Sequence, residues 1–198
     1  TAGTYFGQAM VANRIYAIAG NGSSGFSGDG GLATSATLHN PYGISVDSSG
    51  NVYFADCANS AVRIVVAATA TKFGQSLTAN FIYRIAGNGS TDPTGDAMDG
   101  PASRLYAPRG VSVDTSGNVY IADSYNEKIR MVPAASGTFF GQSMMANRIY
   151  TIVGTGSFGS LGDGGAATLA QLYYPMGVTA DTSKNIYISD NGNNKIRM

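Results

Sequence analysis

The segment VDSSGNVYFADCANSAVRIV at residues 46–65 recurs twice along the chain. It returns as VDTSGNVYIADSYNEKIRMV at residues 113–132 and as ADTSKNIYISDNGNNKIRM at residues 180–198. The offset is 67 residues each time, with no insertion or deletion. A fixed period of this kind is typical of a chain built from repeated copies of one supersecondary unit.

Each copy shows the pattern of four short strands. In the first copy, residues 43–47 are apolar, residues 52–56 alternate along the two faces of a strand, and residues 61–67 are rich in β-branched side chains. Residues 81–87 supply the fourth strand, and the Gly-Asn pair between the first two strands suits a tight hairpin because both residues tolerate positive φ. A single four-stranded sheet cannot bury both of its faces. We therefore expect the sheets to stack radially as the blades of a β-propeller. A β-sandwich is the alternative, but it does not predict an indel-free repeat of a whole four-stranded unit.

The motif within the repeat is P-x-G-(I/V)-x-V-D-x-x-G-N-(V/I)-Y-(F/I)-(A/S)-D-x-x-N-x-x-(I/V)-R. In the first copy it is carried by Pro41, Gly43, Asp47, Gly50, Asn51, Asp56, Asn59 and Arg63. In the third copy Lys184 replaces the turn glycine. This motif resembles the NHL repeat, a blade type of six-bladed propellers. The resemblance implies an all-β fold of four-stranded antiparallel blades, three per chain, as half of a six-bladed ring or as part of a longer or open array.

The repeat also sets the expected organisation of the chain. We treat residues 1–198 as one repeat region, with blades at 41–87 and 108–154 and a third blade split between 1–20 and 175–198. Three arrangements remain open. Two chains could close a six-bladed ring by completing each other's split blade, chains could pair head-to-tail into an open filament, or the sequence could be a slice of a longer array. The first two predict self-association.

Aspartate and arginine stand at positions that are the same in all three copies, which we call repeat-locked positions. Asp56 precedes Arg63 by seven residues across a predicted hairpin, which favours a cross-strand or inter-blade ion pair. Because a catalytic pair is normally needed once and these residues occur in every copy, we predict structural roles for them. The set is Asp47, Asp56, Arg63, Asp114, Asp123, Arg130, Asp181, Asp190 and Arg197.

The Gly-Asp-Gly-Gly loops at residues 28–31 and 162–165 admit two interpretations. The first is a turn in which the Asp side chain caps its own backbone. The second is a calcium loop, which usually needs several oxygen ligands where each copy offers one carboxylate. In the second copy Asp96 is followed by Ala97 and Met98, which weakens the metal interpretation. We predict no metal site and no cofactor.

The residues around the Pro-Gly turn differ between copies, as do the turns at 57–61, 124–128 and 191–195. These positions are either exposed loop residues without a function or a binding face rich in Tyr and Arg, suited to a protein or glycan ligand. The predicted binding residues are His39, Tyr42, Tyr106, Arg109, Tyr173, Tyr174 and Met176.

The composition of the chain limits the classes of function that we expect. The chain has 12 Lys plus Arg and 12 Asp plus Glu, with no basic patch and no apolar run of membrane-spanning length, so we predict no nucleic-acid partner and no membrane insertion. Few charges with much Gly, Ser, Thr, Asn and Tyr suggest an exported, extracellular protein. Amidating lyases, which resemble NHL propellers, use metal-bound histidines, but His39 is the only histidine here, and no nucleophile has a histidine partner. We therefore expect a non-enzymatic binding scaffold. The alternative is a structural subunit of an extracellular filament, and a lyase-type enzyme is the least favoured.

Overall fold

A computed structural model of the chain describes residues 2–91 and 95–198, and its regular structure consists of strands and short 3-10 turns. The strands of the first half are β1 (Gly3–Tyr5), β2 (Gln8–Met10), β3 (Gly31–Leu32), β4 (Pro41–Val46), β5 (Val52–Asp56), β6 (Ala61–Val65), β7 (Ala70–Lys72), β8 (Gln75–Leu77) and β9 (Phe81–Ala86). Those of the second half are β10 (Pro108–Val113), β11 (Val119–Asp123), β12 (Lys128–Val132), β13 (Gly137–Phe139), β14 (Gln142–Met144), β15 (Tyr150–Val153), β16 (Pro175–Ala180), β17 (Ile186–Asp190) and β18 (Lys195–Arg197). The 3-10 turns are Ala33–Ser35, Cys57–Asn59, Gly100–Ala102, Ser124–Asn126, Ala167–Leu169 and Asn191–Asn193. Over the described ranges, no helix has the length and apolarity needed to span a membrane.

The main strands form three antiparallel blades. Blade A has the strand order β4-β5-β6-β9, with β3 added beside β9, and blade B has the order β10-β11-β12-β15. Blade C contains β16, β17 and β18. The predicted all-β fold of antiparallel propeller blades is confirmed. The four-stranded meander is complete in blades A and B, whereas blade C has three strands within the described part of the chain.

In blades A and B the second strand is buried on both faces because neighbouring elements cover both sides. All five residues of β5 and all five of β11 are buried. In β5, Val52 and Phe54 pack with Ile82 in one cluster, while Tyr53 packs with Ile64 in another. The alternation seen in the sequence therefore separates two apolar faces and not an apolar face from a polar one.

A small hairpin inserted before the fourth strand was not predicted from the sequence. The sequence predicts a polar link between the third and fourth strands, at residues 68–80, but this stretch contains the paired strands β7 and β8, and the same hairpin occurs as β1–β2 and β13–β14. Its two central residues are Phe73 and Gly74, with φ of 51° and 67°. Two residues of positive φ suit a two-residue hairpin, although the first is usually Asn, Asp or Gly. The aromatic residue at that position hid the hairpin signal.

The first strand of each blade is its inner strand. The inner strands β4, β10 and β16 pack closely against one another because each carries a glycine. A Cβ atom on Gly43 would lie 2.5 Å from the carbonyl oxygen of Arg109, and a Cβ on Gly110 would lie 2.7 Å from that of Met176. The Val113 backbone N–H also donates to Ser45 Oγ at 3.2 Å. The glycine of the P-x-G motif therefore lets one blade approach the next backbone to backbone.

Apolar side chains fill the space between successive blades. The cluster between blades A and B contains Tyr53, Val62, Ile64, Val66, Phe73, Leu77, Ile85, Ala86, Leu105, Val111, Val119, Ile121, Val132 and Ile149. The cluster between blades B and C contains Tyr120, Ala122, Ile129, Met131, Met144, Tyr150, Ile152, Leu172, Val178, Ile186 and Ile188. The core thus lies between the sheets, as stacked repeats require.

Candidate ligand-binding face

Each blade contains an arginine held between two carboxylates, and this arginine is buried in blades A and B. In blade A, an Nη atom of Arg63 lies 3.3 Å from Asp56 Oδ2 and another lies 2.9 Å from Asp29 Oδ1. The side chains of Arg63 and Asp56 are both 0% exposed. The same arrangement joins Arg130 to Asp123 and Asp96, and Arg197 to Asp190 and Asp163. The arginine therefore links the second and third strands of its blade to the loop that precedes that blade.

The buried aspartate also fixes the start of the variable segment. Its second oxygen accepts a backbone N–H at 2.7 Å in every blade, from His39 to Asp56, from Tyr106 to Asp123 and from Tyr173 to Asp190. Burial raises the pKa of Asp123, and the Arg130 charge and these hydrogen bonds oppose that effect. The residues with structural roles thus position the residues predicted to bind a ligand.

The other repeat-locked aspartate organises the turn between the first two strands of each blade. Asp47 accepts hydrogen bonds from the backbone N–H and the side-chain amide of Asn51 and from the Tyr53 hydroxyl, and it pairs with Lys72 at 2.8 Å. Burial by itself raises the pKa of Asp47, but the bonds from Asn51 and Lys72 outweigh burial and lower it. Asp114 and Asp181 make the corresponding bonds in blades B and C.

The Gly-Asp-Gly-Gly loop directs its carboxylate at an arginine. Asp29 pairs with Arg63, and Arg84 Nε lies 3.8 Å from its other oxygen. A cation site here would have to displace these guanidinium groups. Within residues 2–91 and 95–198, no cluster of three or more His, Cys, Asp and Glu side chains could hold a metal ion.

Five aromatic rings form an unbroken row across blades B and C. The ring centroids of Tyr106 and Tyr125 are 4.9 Å apart, and those of Tyr125 and Tyr174 are 5.2 Å apart. Tyr174 lies 4.8 Å from Tyr173, which lies 6.0 Å from Phe158. The first two contacts are edge-to-face, a favoured geometry for aromatic pairs. Because four of these side chains are more than a third exposed, the row is open to solvent.

Arg109 extends this row to blade A. Its guanidinium carbon lies 5.4 Å from the ring centroid of Tyr42 and 5.5 Å from that of Tyr125, within the range of cation–π attraction. Among the described residues, Arg109 Nε is buried with no hydrogen-bond partner. Below it, burial raises the pKa of the Cys57 thiol, an effect that Arg109 partly offsets.

Glu127 fixes the backbone of Tyr174, the middle residue of the aromatic row. Its Oε2 accepts a hydrogen bond from the Tyr174 backbone N–H at 2.6 Å, which joins blade B to blade C. The side chain is buried, and this burial raises the pKa of Glu127. Tyr174 itself has a φ of 47°, and Asn40 and Ala107 adopt similar angles at the equivalent positions. The left-handed backbone is therefore a feature of the repeat and not of this site alone.

Five of the seven predicted binding residues meet in the aromatic and arginine cluster. These are Tyr42, Tyr106, Arg109, Tyr173 and Tyr174. His39 contributes its backbone N–H to Asp56, and Met176 contributes a carbonyl beside Gly110, so neither side chain takes part in the aromatic contacts that define the row. The sequence reasoning missed Tyr125 and Phe158. Tyr125 falls in the variable turn at 124–128, which was a usable signal, whereas Phe158 lies in the long linker and carried none.

Comparison with known proteins supports the fold. Residues 105–130 match the family model of the NHL repeat, which confirms the resemblance drawn from the motif. An auxiliary nutrient binding protein from Bacteroides thetaiotaomicron has a similar structure, with a TM-score of 0.52 and 20% identity over 77% of this chain and 35% of that one. A protein of unknown function from the same organism has a TM-score of 0.58 and 19% identity over 83% of this chain and 36% of that one. The chain thus spans about a third of the length of these structures, and at such identities the likeness shows the fold alone. No curated protein matches the sequence.

Proposed function

We propose that this chain is a non-enzymatic, extracellular binding module and that its ligand is an uncharged glycan. The observation that carries the proposal is the row of five aromatic rings with Arg109 stacked on Tyr125. Tyrosine offers a rigid, partly apolar surface with a polar tip at low conformational cost, which is why it dominates many recognition surfaces. The flat face of a sugar ring and its hydroxyl groups match those two properties.

The row is pre-organised, and this supports binding over a purely structural role. The backbone N–H groups of Tyr106, Tyr173 and Tyr174 donate to buried carboxylates, and the Tyr125 N–H donates to the Tyr106 carbonyl, so the backbone that carries the four tyrosines is fixed. A face that is ordered before binding loses little entropy when a ligand arrives. A solved structure of this fold is described as an auxiliary nutrient binding protein, which is a precedent for ligand binding on this architecture.

The absence of enzymatic activity is part of the proposal. The buried aspartates next to the row are each paired with an arginine, as in the pair of Asp56 and Arg63, and Glu127 accepts the Tyr174 backbone N–H. One Asp56 oxygen accepts the His39 backbone N–H and the other pairs with Arg63, so the carboxylate has no free oxygen with which to exchange a proton with a ligand. Extracellular placement rests on the composition of the chain.

A glycan array tests the proposal. The wild-type chain is applied to immobilised neutral oligosaccharides such as cellohexaose, xylohexaose and mannohexaose, and the best binder is titrated by calorimetry. Truncation of a central ring costs about 2 kcal/mol at an interface hot spot, so we expect Tyr125→Ala to weaken binding roughly 30-fold. Met145→Ala, which truncates an exposed side chain on the hairpin of blade B, is the control and should bind as wild type. No binding to any neutral glycan at millimolar concentration would refute the proposal.

A further inference from the structure

Equivalent isoleucines of the three repeats have opposite exposures. Ile82 and Ile149 are fully buried between blades, whereas Ile15, one repeat before Ile82, is 98% exposed. An aliphatic side chain left in water at a position that is otherwise core indicates a surface that needs a partner.

The segment that carries Ile15 is already placed as an outer strand. Gly20 N–H donates to the Ala33 carbonyl at 2.9 Å, just as Gly87 donates to Gly100 and Gly154 to Ala167. The Tyr16 hydroxyl accepts the Val11 N–H at 2.8 Å, and Tyr83 and Tyr150 make the same bond in their repeats. Residues 14–19 therefore lie against blade A in the position of a fourth strand, but within the described ranges they pair with no sheet.

Blade C has the complementary opening. A cavity of about 750 Å³ lies where its fourth strand would be. Its lining includes Ala167, Ala170, Ile186 and Ile188. Two repeats earlier, the equivalent side chains are those of Ala33, Ala36, Val52 and Phe54, which pack around Ile82. The cavity is thus a second copy of the site that receives Ile82.

The remaining exposed apolar residues lie on the same two faces. Ile196 and Met198 on blade C are 76% and 82% exposed, whereas their equivalents Ile129 and Met131 are buried against blade C. On blade A, Ile44 is 65% exposed, whereas its equivalents Val111 and Val178 are buried against the preceding blade. The open face of blade C and the open face of blade A are therefore copies of two surfaces that already pack together inside this chain.

We infer that a second copy of this chain docks its blade A and residues 14–19 onto blade C, completing the sheet as a fourth strand and placing Ile15 in the cavity. The register follows from the internal repeats, in which Arg130 lies opposite Thr151 and Ile129 opposite Val153. It places Arg197 opposite Ala17 and Ile196 opposite Ala19. A second copy is the favoured occupant because it offers both the strand, at residues 14–19, and the matching apolar face of blade A.

The contact is head-to-tail, since the two faces differ. Two copies that close on each other make a six-bladed ring, and further additions make an open chain. This inference does not rest on the proposed glycan binding, because the aromatic row takes no part in it.

Mass in solution is the first test. Sedimentation of the 198-residue chain from 1 to 200 µM should give a mass that rises from the 20.4 kDa monomer toward twice that value, or toward a series of larger multiples. Ile15→Asp should remain monomeric with an unchanged melting temperature, because the side chain is exposed within one chain. Leu169→Asp is the matched control, since position 169 is exposed, as are its equivalents 35 and 102. A monomeric wild type at 200 µM, or assembly of Ile15→Asp equal to wild type, would overturn the inference.

A disulfide trap tests the register. In a Cys57→Ser background, Ala19→Cys with Ile196→Cys places two thiols on directly opposed residues, a geometry that a disulfide accepts. Oxidation should link copies covalently at low protein concentration. Ala17→Cys with Ile196→Cys puts the thiols on opposite faces of the sheet and should link copies at least tenfold more slowly. Equal rates for the two pairs would contradict the register.

Discussion

At the scale of single residues, the arginines that pair with two carboxylates fix the register of the strands within each blade. Arg130 is 1% exposed and has a buried carboxylate, Asp123, on one side and a half-exposed one, Asp96, on the other. Removing one partner of such a pair leaves a charge without compensation in a region of low polarity, whereas removing both does not. The three blades repeat this arrangement, but Arg197 of blade C is more exposed than the other two.

We expect Asp123→Ala to lower the free energy of unfolding by about 3–5 kcal/mol, because Arg130 loses its buried partner. The double variant Asp123→Leu with Arg130→Met should lose less than Asp123→Ala, since no unpaired charge remains. Urea denaturation followed by circular dichroism measures both. A double variant less stable than the single one would show that the pair adds net stability and does not only fix the strand register.

Glu127 gives a prediction with a defined pH dependence. Burial raises its pKa, so the folded state holds the proton more tightly, and stability falls as pH rises from about 4.3, the unfolded value, through the folded pKa. Glu127→Gln keeps an acceptor for Tyr174 N–H without the buried charge. It should therefore be at least as stable as wild type at pH 7 and equal to it below pH 4.

The control for this experiment is Glu127→Ala, which removes the acceptor and should cost about 1–2 kcal/mol at both pH values. Chemical denaturation across pH 3–8 separates the two effects. If Glu127→Gln lost stability only at high pH, the carboxylate charge itself would be stabilising and the assignment of burial as the dominant cause would be wrong.

At the scale of elements, the close approach of the fourth strand to the turn between the second and third strands of its own blade depends on the glycine that ends it. Gly87 follows β9 with a φ of 83°, and a Cβ there would overlap the carbonyl oxygen of Ser60. Gly89 has nearly the same φ, 87°, but its nearest atom beyond the adjacent residues would be 3.7 Å away, on Phe26. Comparing substitutions at Gly87 and Gly89 therefore separates the stability cost of backbone strain from that of steric overlap.

Gly87→Ala should destabilise the chain by about 2–4 kcal/mol, from left-handed strain plus overlap. Gly89→Ala should cost about 1–2 kcal/mol, from strain alone. Thermal unfolding of the two variants under identical conditions measures the difference. Equal losses would mean that the contact with Ser60 relaxes freely.

The same elements show how far the sequence determines the structure. The repeat period and the alternation in NVYFAD and NVYIAD predict the blades, because the packing of one repeat against the next buries these strands. The inserted hairpins escaped prediction, since Phe73 occupies a position of positive φ that aromatic residues rarely adopt. Phe158 joins the aromatic row through the spacing of neighbouring blades, which no local pattern encodes, whereas Tyr125 lies in a turn that the differences between the repeats mark out.

At the scale of the whole molecule, the blades form a row in which each contacts its neighbours. The inner strand β10 lies between β4 and β16, so blade B is covered on both faces, whereas blades A and C are each covered by one other blade. In such quasi-one-dimensional arrays, stability is approximately the sum of the blade and interface terms. Blade B has two interfaces and the outer blades have one each, so local stability should decrease from the centre outward.

Hydrogen exchange at 1 µM, where the chain is dilute, should reveal this gradient. The corresponding strands β6, β12 and β18 have similar sequences, so differences in their exchange report opening free energies and not intrinsic rates. We expect β12 to exchange most slowly and β18 fastest, with residues 14–19 as fast as β18. Raising the concentration to 200 µM should protect β18 and residues 14–19 together in wild type and neither of them in Ile15→Asp. If β18 of the Ile15→Asp variant were as protected as β12 at 1 µM, its outer edge would be paired within a single chain, and both the gradient and the docking of a second copy would be excluded.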